Sequence, residues 1–152
     1  MYVGISIVVD HDSQSKMWSM VNVSKLLESF FKDKYYGAIN HYWIVCTAIG
    51  PEYEYGESSK IKRPMFKEIR RFREPDGSMK EYYGVYTCEF KLDIEEYNQM
   101  MISTDKEVER MIARKVVDSL SYLDRLSKKA AAFDKVRFKS DMIQLFKENN
   151  LI

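Results

Sequence analysis

Residues 60–92, KIKRPMFKEIRRFREPDGSMKEYYGVYTCEFKL, decide how the fold is read. Tyr82, Gly84, Tyr86, Cys88, Phe90 and Leu92 occupy every second position, with Tyr83, Val85, Thr87, Glu89 and Lys91 between them. Period two is the signature of a strand with unlike faces. Just before it, Glu74-Pro75-Asp76-Gly77-Ser78 puts proline and glycine where a tight turn needs them. Taken alone, the 60–73 segment is ambiguous, because Phe66, Ile69 and Phe72 fall at a spacing that also suits a helix. The turn decides for strand. Residues 64–74 and 79–92 therefore read as a long antiparallel hairpin, with Pro64 confined to a strand start or edge.

On the N-terminal side, residues 2–9, YVGISIVV, are rich in β-branched side chains and too short for a helix, which predicts a central strand. Polar residues from Asp10 to Ser15 end it. Val23, Leu26, Leu27, Phe30 and Phe31 then recur at helical spacing, predicting an amphipathic helix over about 20–35 with Gly37 near its stop. Residues 41–49, HYWIVCTAI, predict a second strand closed by Gly50-Pro51.

On the C-terminal side the period changes to that of helices. Asp93 precedes a short helical stretch, IEEYNQMM. Thr104 and Glu107 stand at capping-box offset ahead of a stripe formed by Val108, Met111, Ile112, Val116, Leu120, Leu123 and Leu126. A last helix is predicted over 134–148, with Val136, Phe138, Met142, Leu145 and Phe146 inward. The expected class is α+β: one domain over 1–152, with an antiparallel or mixed sheet built on a long central hairpin and packed against an N-terminal helix and C-terminal helices.

Composition agrees with one folded unit. Hydrophobic residues make up 45% of the chain, against six glycines and three prolines, enough apolar content to offset the entropy of ordering the backbone. No stretch approaches the roughly 18 to 20 apolar residues that span a bilayer. The opening MYVGISIVVD lacks the basic start and small-residue cleavage pattern of a secretory leader. No membrane association and a cytoplasmic location are the expectation. Cys46 and Cys88 each lie in an apolar strand, the setting of buried thiols rather than of a disulfide or zinc site.

The chain carries 24 basic and 23 acidic residues, yet the charge is segregated. Residues 60–80 hold eight bases against three acids, and residues 81–109 hold two bases against eight acids. Segregation of this kind permits signed patches on a nearly neutral molecule.

No GxSxG elbow, P-loop, GxGxxG or HExxH pattern occurs, and nothing resembles an assembled catalytic centre. No cofactor, metal or catalytic residue is assigned. Asp10-His11-Asp12, just past a strand, is the one place where a small unrecognised enzyme would be centred. Neighbours on an extended backbone point in opposite directions, which counts against it. His41 reads as a partly buried hydrogen-bonding residue. Lys60, Lys62, Arg63, Lys67, Arg70, Arg71 and Arg73, with Phe66 and Phe72 among them, offer an alternative as a nucleic-acid-binding or regulatory module. Glu68 and Glu74 interrupt that face, so nucleic acid is not the favoured partner.

The opposite charge is offered by Asp10, Asp12, Glu52, Glu54 and Glu57. With Tyr53 and Tyr55 as apolar anchors, these residues suit a basic protein partner. The N-terminal strand and amphipathic helix, the strand YYGVYTCEFKLDI, and the stretch from RMIARKVVDSLSYLDRL to FDKVRFKSDMIQLF together resemble small bacterial immunity proteins of polymorphic-toxin and contact-dependent growth inhibition systems. That resemblance implies a stoichiometric inhibitor which binds a cognate toxin domain in the cytoplasm. Many such toxins are nucleases with positively charged clefts, which the acidic, tyrosine-bearing 52–57 loop would enter. An edge-strand or mixed-charge interface is the other open form.

Overall fold

A computed structural model describes residues 1–50, 65–67, 70–73, 75–82, 85–125 and 132–152. Its strands are β1 (Tyr2–Val9), β2 (His41–Ala48), β3 (Met65–Lys67), β4 (Arg70–Arg73), β5 (Met79–Tyr82) and β6 (Val85–Lys91). Its α-helices are α1 (Met17–Phe31), α2 (Ile94–Ile102), α3 (Asp105–Ser119) and α4 (Lys135–Glu148), with 3-10 turns at Asp12–Lys16 and Leu120–Arg125.

The sheet corrects the expected fold class. Its three long strands lie in the order β1-β2-β6 and are all parallel, with Tyr2 opposite His41 and His41 opposite Val85. Among these three the central position thus belongs to β2 and not to a hairpin, and β1, expected to be central, lies at the edge. Among the described residues, antiparallel pairing is that of the expected 64–74 and 79–92 arms, with three-residue β3 on the outer side of β6 and a separate β4–β5 ladder across the turn at 75–78. An antiparallel or mixed sheet with a long central hairpin is therefore not the organising unit.

Two physical reasons explain the difference. Parallel neighbours need a crossover, and α1 provides one between β1 and β2. Parallel strands usually read as continuous apolar runs because helices cover both faces. Here the strands alternate: Tyr42, Ile44, Cys46 and Ala48 of β2 and Tyr86, Cys88 and Phe90 of β6 are buried, while His41, Trp43, Val45, Thr47, Thr87, Glu89 and Lys91 are only half-buried. Buried residues from all four α-helices join the first face in one core. A parallel sheet packed in this way carries the period that normally marks an antiparallel one.

Phe138 of α4 is fully buried at the centre of an aromatic cluster, with ring centroids of Phe31, Tyr36, Tyr42 and Phe133 between 5.2 and 5.5 Å away. Such tilted and edge-on pairs add to area burial. On the outer side of β1, the Ile5 amide donates to Ser24 Oγ of α1 (2.9 Å), which caps part of an edge strand that carries no charge or proline.

Helix ends follow the sequence closely. Asp93 caps α2 and Thr104 caps α3, each in a reciprocal capping box with Glu96 or Glu107, and Asp134 caps α4. Helix α1 begins at Met17, earlier than the apolar spacing predicts, because the 3-10 turn runs straight into it. Val136, expected inward, is 73% exposed on the outer side of α4. Cys46 and Cys88 are buried free thiols.

Candidate functional site

Asp10 closes β1 and is only 8% exposed. Its Oδ1 accepts from the Ser13 amide (2.8 Å), and its Oδ2 accepts from the Gly50 amide (2.6 Å). The Tyr97 hydroxyl of α2 lies 3.1 and 3.0 Å from the two oxygens. Ser13 Oγ sits 2.8 Å from Oδ1 and 2.9 Å from the Ala48 carbonyl oxygen, so its proton serves one of these two acceptors. A single carboxylate thus joins the ends of β1 and β2, the 3-10 turn and α2.

Burial alone would push the Asp10 carboxyl up. The donors from Gly50, Ser13 and Tyr97 outweigh it and hold the group below its usual range. Dipoles, with no cation among those partners, stabilise the buried charge.

This hub separates the three residues of the Asp10-His11-Asp12 run. The Asp10 carboxylate is buried and accepts from the Ser13 and Gly50 amides and the Tyr97 hydroxyl, whereas His11 and Asp12 stand exposed on the turn. No metal-holding group of three or more His, Cys, Asp or Glu occurs among the described residues.

The hub also fixes the origin of the acidic segment. Gly50, tied to Asp10, is the last described residue before it. Glu52, Tyr53, Glu54, Tyr55 and Glu57 themselves lie outside the described residues, as do Lys60, Lys62 and Arg63. Lys67 belongs to the backbone of β3, and Arg70, Arg71 and Arg73 to that of β4.

Next to the hub, at the carboxyl end of the parallel strands, α1 meets the corner between α2 and α3. Lys16 Nζ donates to the Ser103 carbonyl oxygen (2.7 Å), Ser19 Oγ to Asp105 Oδ1 (3.3 Å), and Asn22 Nδ2 to Glu109 Oε1 (3.2 Å). A groove of about 450 Å³ opens between α2 and α3. Its lining sets Glu96, Glu107 and Asp118 against Arg110, Arg114 and Lys115, with Glu96 and Lys115 ion-paired, so it carries no net sign.

Sequence reasoning missed Ser13, Gly50 and Tyr97 as partners of Asp10. Ser13 stands three residues after Asp10, an offset at which a side chain bonds the local backbone. Gly50 and Tyr97 left no such local signal, since their contact with Asp10 spans 40 and 87 positions.

Among the described residues no helix is long and apolar enough to cross a membrane. No curated protein and no solved structure matches the chain. The model of the family Immunity protein 44 matches residues 1–148, nearly the whole length, and the chain belongs to that family of bacterial immunity proteins.

Proposed function

We propose that the chain neutralises one cognate bacterial toxin domain by binding it in a stoichiometric complex, in the cytoplasm where the toxin acts. The observation that carries this reading is membership of an immunity-protein family over residues 1–148. The geometry adds support of a different kind: the Asp10-His11-Asp12 run is divided between a buried structural carboxylate and an exposed turn, which suits a binding protein better than an enzyme.

The contact surface in this reading includes exposed Asp12 and the segment bearing Glu52, Tyr53, Glu54, Tyr55 and Glu57, which departs from Gly50 beside the hub. Asp10 holds the point of departure instead of meeting the toxin. A nuclease is the toxin class that such an acidic surface fits, because a nuclease cleft is built to attract phosphates. A contact-dependent growth inhibition system is one setting in which such a pair would operate.

Co-expression tests the reading. Cells making the toxin domain encoded immediately upstream should grow only when this chain is present. Replacing Glu52, Glu54 and Glu57 together with alanine should weaken protection without lowering the amount of folded chain. Equal killing with and without the chain would refute neutralisation, and full protection by the triple variant would remove the 52–57 segment from the interface.

A further inference from the structure

Two large apolar side chains at the carboxyl end of the sheet remain in water. Trp18 of α1 is 64% exposed and Ile102, the last residue of α2, is 81% exposed. The fold brings them to one seam. Lys16 reaches Ser103, the neighbour of Ile102, while Ser19, next to Trp18, reaches Asp105. Trp18 and Asn22 are one turn apart on the same side of α1, and Asn22 bonds Glu109, one turn on from Asp105 in α3. The ridge of α1 that carries Trp18 therefore runs beside the ridge of α3 that carries Asp105 and Glu109.

The buried side of α1 is made by Met20, Val23, Leu27 and Phe31, so Trp18 is not part of the core. An exposed tryptophan beside an exposed isoleucine is the composition of an interface anchor: large, rigid and costly to leave hydrated. The rim has a sign. Asp105 and Glu109 stand at the seam, where they accept from Ser19 and Asn22, and exposed Asp12 lies on the turn that leads into α1, against Lys16 and Lys106. Both lysines are engaged within the chain, Lys16 with the Ser103 carbonyl and Lys106 with the Asn149 carbonyl and Glu109.

We infer that the α1–α3 seam around Trp18 and Ile102 docks the toxin domain, and that the toxin offers it an apolar depression rimmed by arginine or lysine. The inference rests on the neutralisation reading and assigns it a surface. Trp18 and Ile102 enter the depression, and the acidic rim steers the encounter and excludes partners with an acidic border. Asp12 lies on the turn that runs from Asp10 of the hub to Lys16 of the seam.

The test is calorimetric titration of this chain with the upstream-encoded toxin domain in a catalytically inactive form. Trp18→Ala should weaken binding by about 30-fold or more, the size expected of an interface hot spot. Ile102→Asp, at a position open to water, should do the same with an unchanged melting temperature. Asp105→Lys combined with Glu109→Lys should slow association and flatten its salt dependence. Tyr35→Ala and Val136→Ala remove exposed apolar side chains of 70% and 73% exposure at the far end of α1 and on α4, and should leave affinity unchanged. Wild-type affinity in both Trp18→Ala and Ile102→Asp would overturn this surface while leaving neutralisation standing. Absence of any complex with the wild-type chain would overturn the neutralisation reading, and this inference with it.

Discussion

The Tyr97 hydroxyl of α2 bridges both carboxylate oxygens of Asp10, at 3.1 and 3.0 Å, across 87 positions of sequence. Through that contact the helix following β6 is fixed to the end of β1, on the far side of β2 from it in the sheet. The corner where α2 turns into α3, with Ile102 and Ser103, is held in place from the same hub.

Asp10 should therefore stabilise the fold in a pH-dependent way. Its carboxyl is held below the ordinary value of 3.8, so folding favours the charged form. That stabilisation is present above about pH 4 and is lost as pH falls through the folded-state value. Asp10→Ala leaves the Gly50 and Ser13 amides and the Tyr97 hydroxyl without this acceptor and should cost about 3 kcal/mol at pH 7. Urea unfolding at pH 7, 5 and 3 checks both points. The wild-type chain should lose stability more steeply in acid than Asp10→Asn does.

Tyr42 and Tyr86 stack with ring centroids 5.2 Å apart, yet their hydroxyls differ. Tyr42 Oη pairs with Ser119 Oγ at 2.5 Å, whereas buried Tyr86 Oη has no hydrogen-bond partner among the described residues. Tyr42→Phe should cost about 1 to 2 kcal/mol, while Tyr86→Phe should be neutral or stabilising by about 1 kcal/mol. Thermal and chemical melts of the two variants give the comparison. Equal losses would contradict it.

The thiols should be inert in the folded chain. Burial pushes Cys46 up to about 12, and burial also raises Cys88. Thiolate is the reactive form, so a disulfide reagent at pH 8 should label neither cysteine until denaturant is added, and then both. Rapid labelling of the native chain would contradict the packing of β2 and β6.

Gly37 adopts φ +104°, and a Cβ there would lie 1.9 Å from the Ala132 carbonyl oxygen. The close approach brings Tyr36 to α4, where the Asp134 amide donates to the Tyr36 carbonyl oxygen at 2.7 Å. Gly37→Ala should destabilise by about 2 kcal/mol or more, from strain and clash together. A denaturation midpoint equal to that of the wild-type chain would contradict this close approach.

Local chemistry was legible in the sequence, and long-range pairing was not. Asp93, Thr104 and Glu107 announced helix starts because a cap is complete within four residues. The apolar stripes of α1, α3 and α4 located most of the core for the same reason, with Val136 the exception. Strand direction escaped, since alternation reports how many faces of a strand are covered and not how its neighbour runs. Helices on one face gave β2 and β6 the pattern of an antiparallel sheet, while the turn at Pro75-Asp76-Gly77 does join the antiparallel strands β4 and β5, as its residues predict.

The same limit applied to the site. Asp10 and Asp12 both drew attention as acids after a strand, but only the fold distinguishes the buried carboxylate from the exposed one. Trp18 and Ile102 gave no signal as single apolar residues, and acquired meaning when the Lys16–Ser103 and Ser19–Asp105 bonds placed them on one seam. The acidic segment 52–57 lies outside the described residues and stands on its charge and its point of departure alone.

The central claim is neutralisation by stoichiometric binding, and its most direct test is a titration of the upstream-encoded toxin domain's activity with increasing amounts of this chain. The account predicts a straight decline that reaches zero at one equivalent and does not deepen with time. Undiminished toxin activity at excess chain, or progressive inactivation by much less than one equivalent, would contradict it.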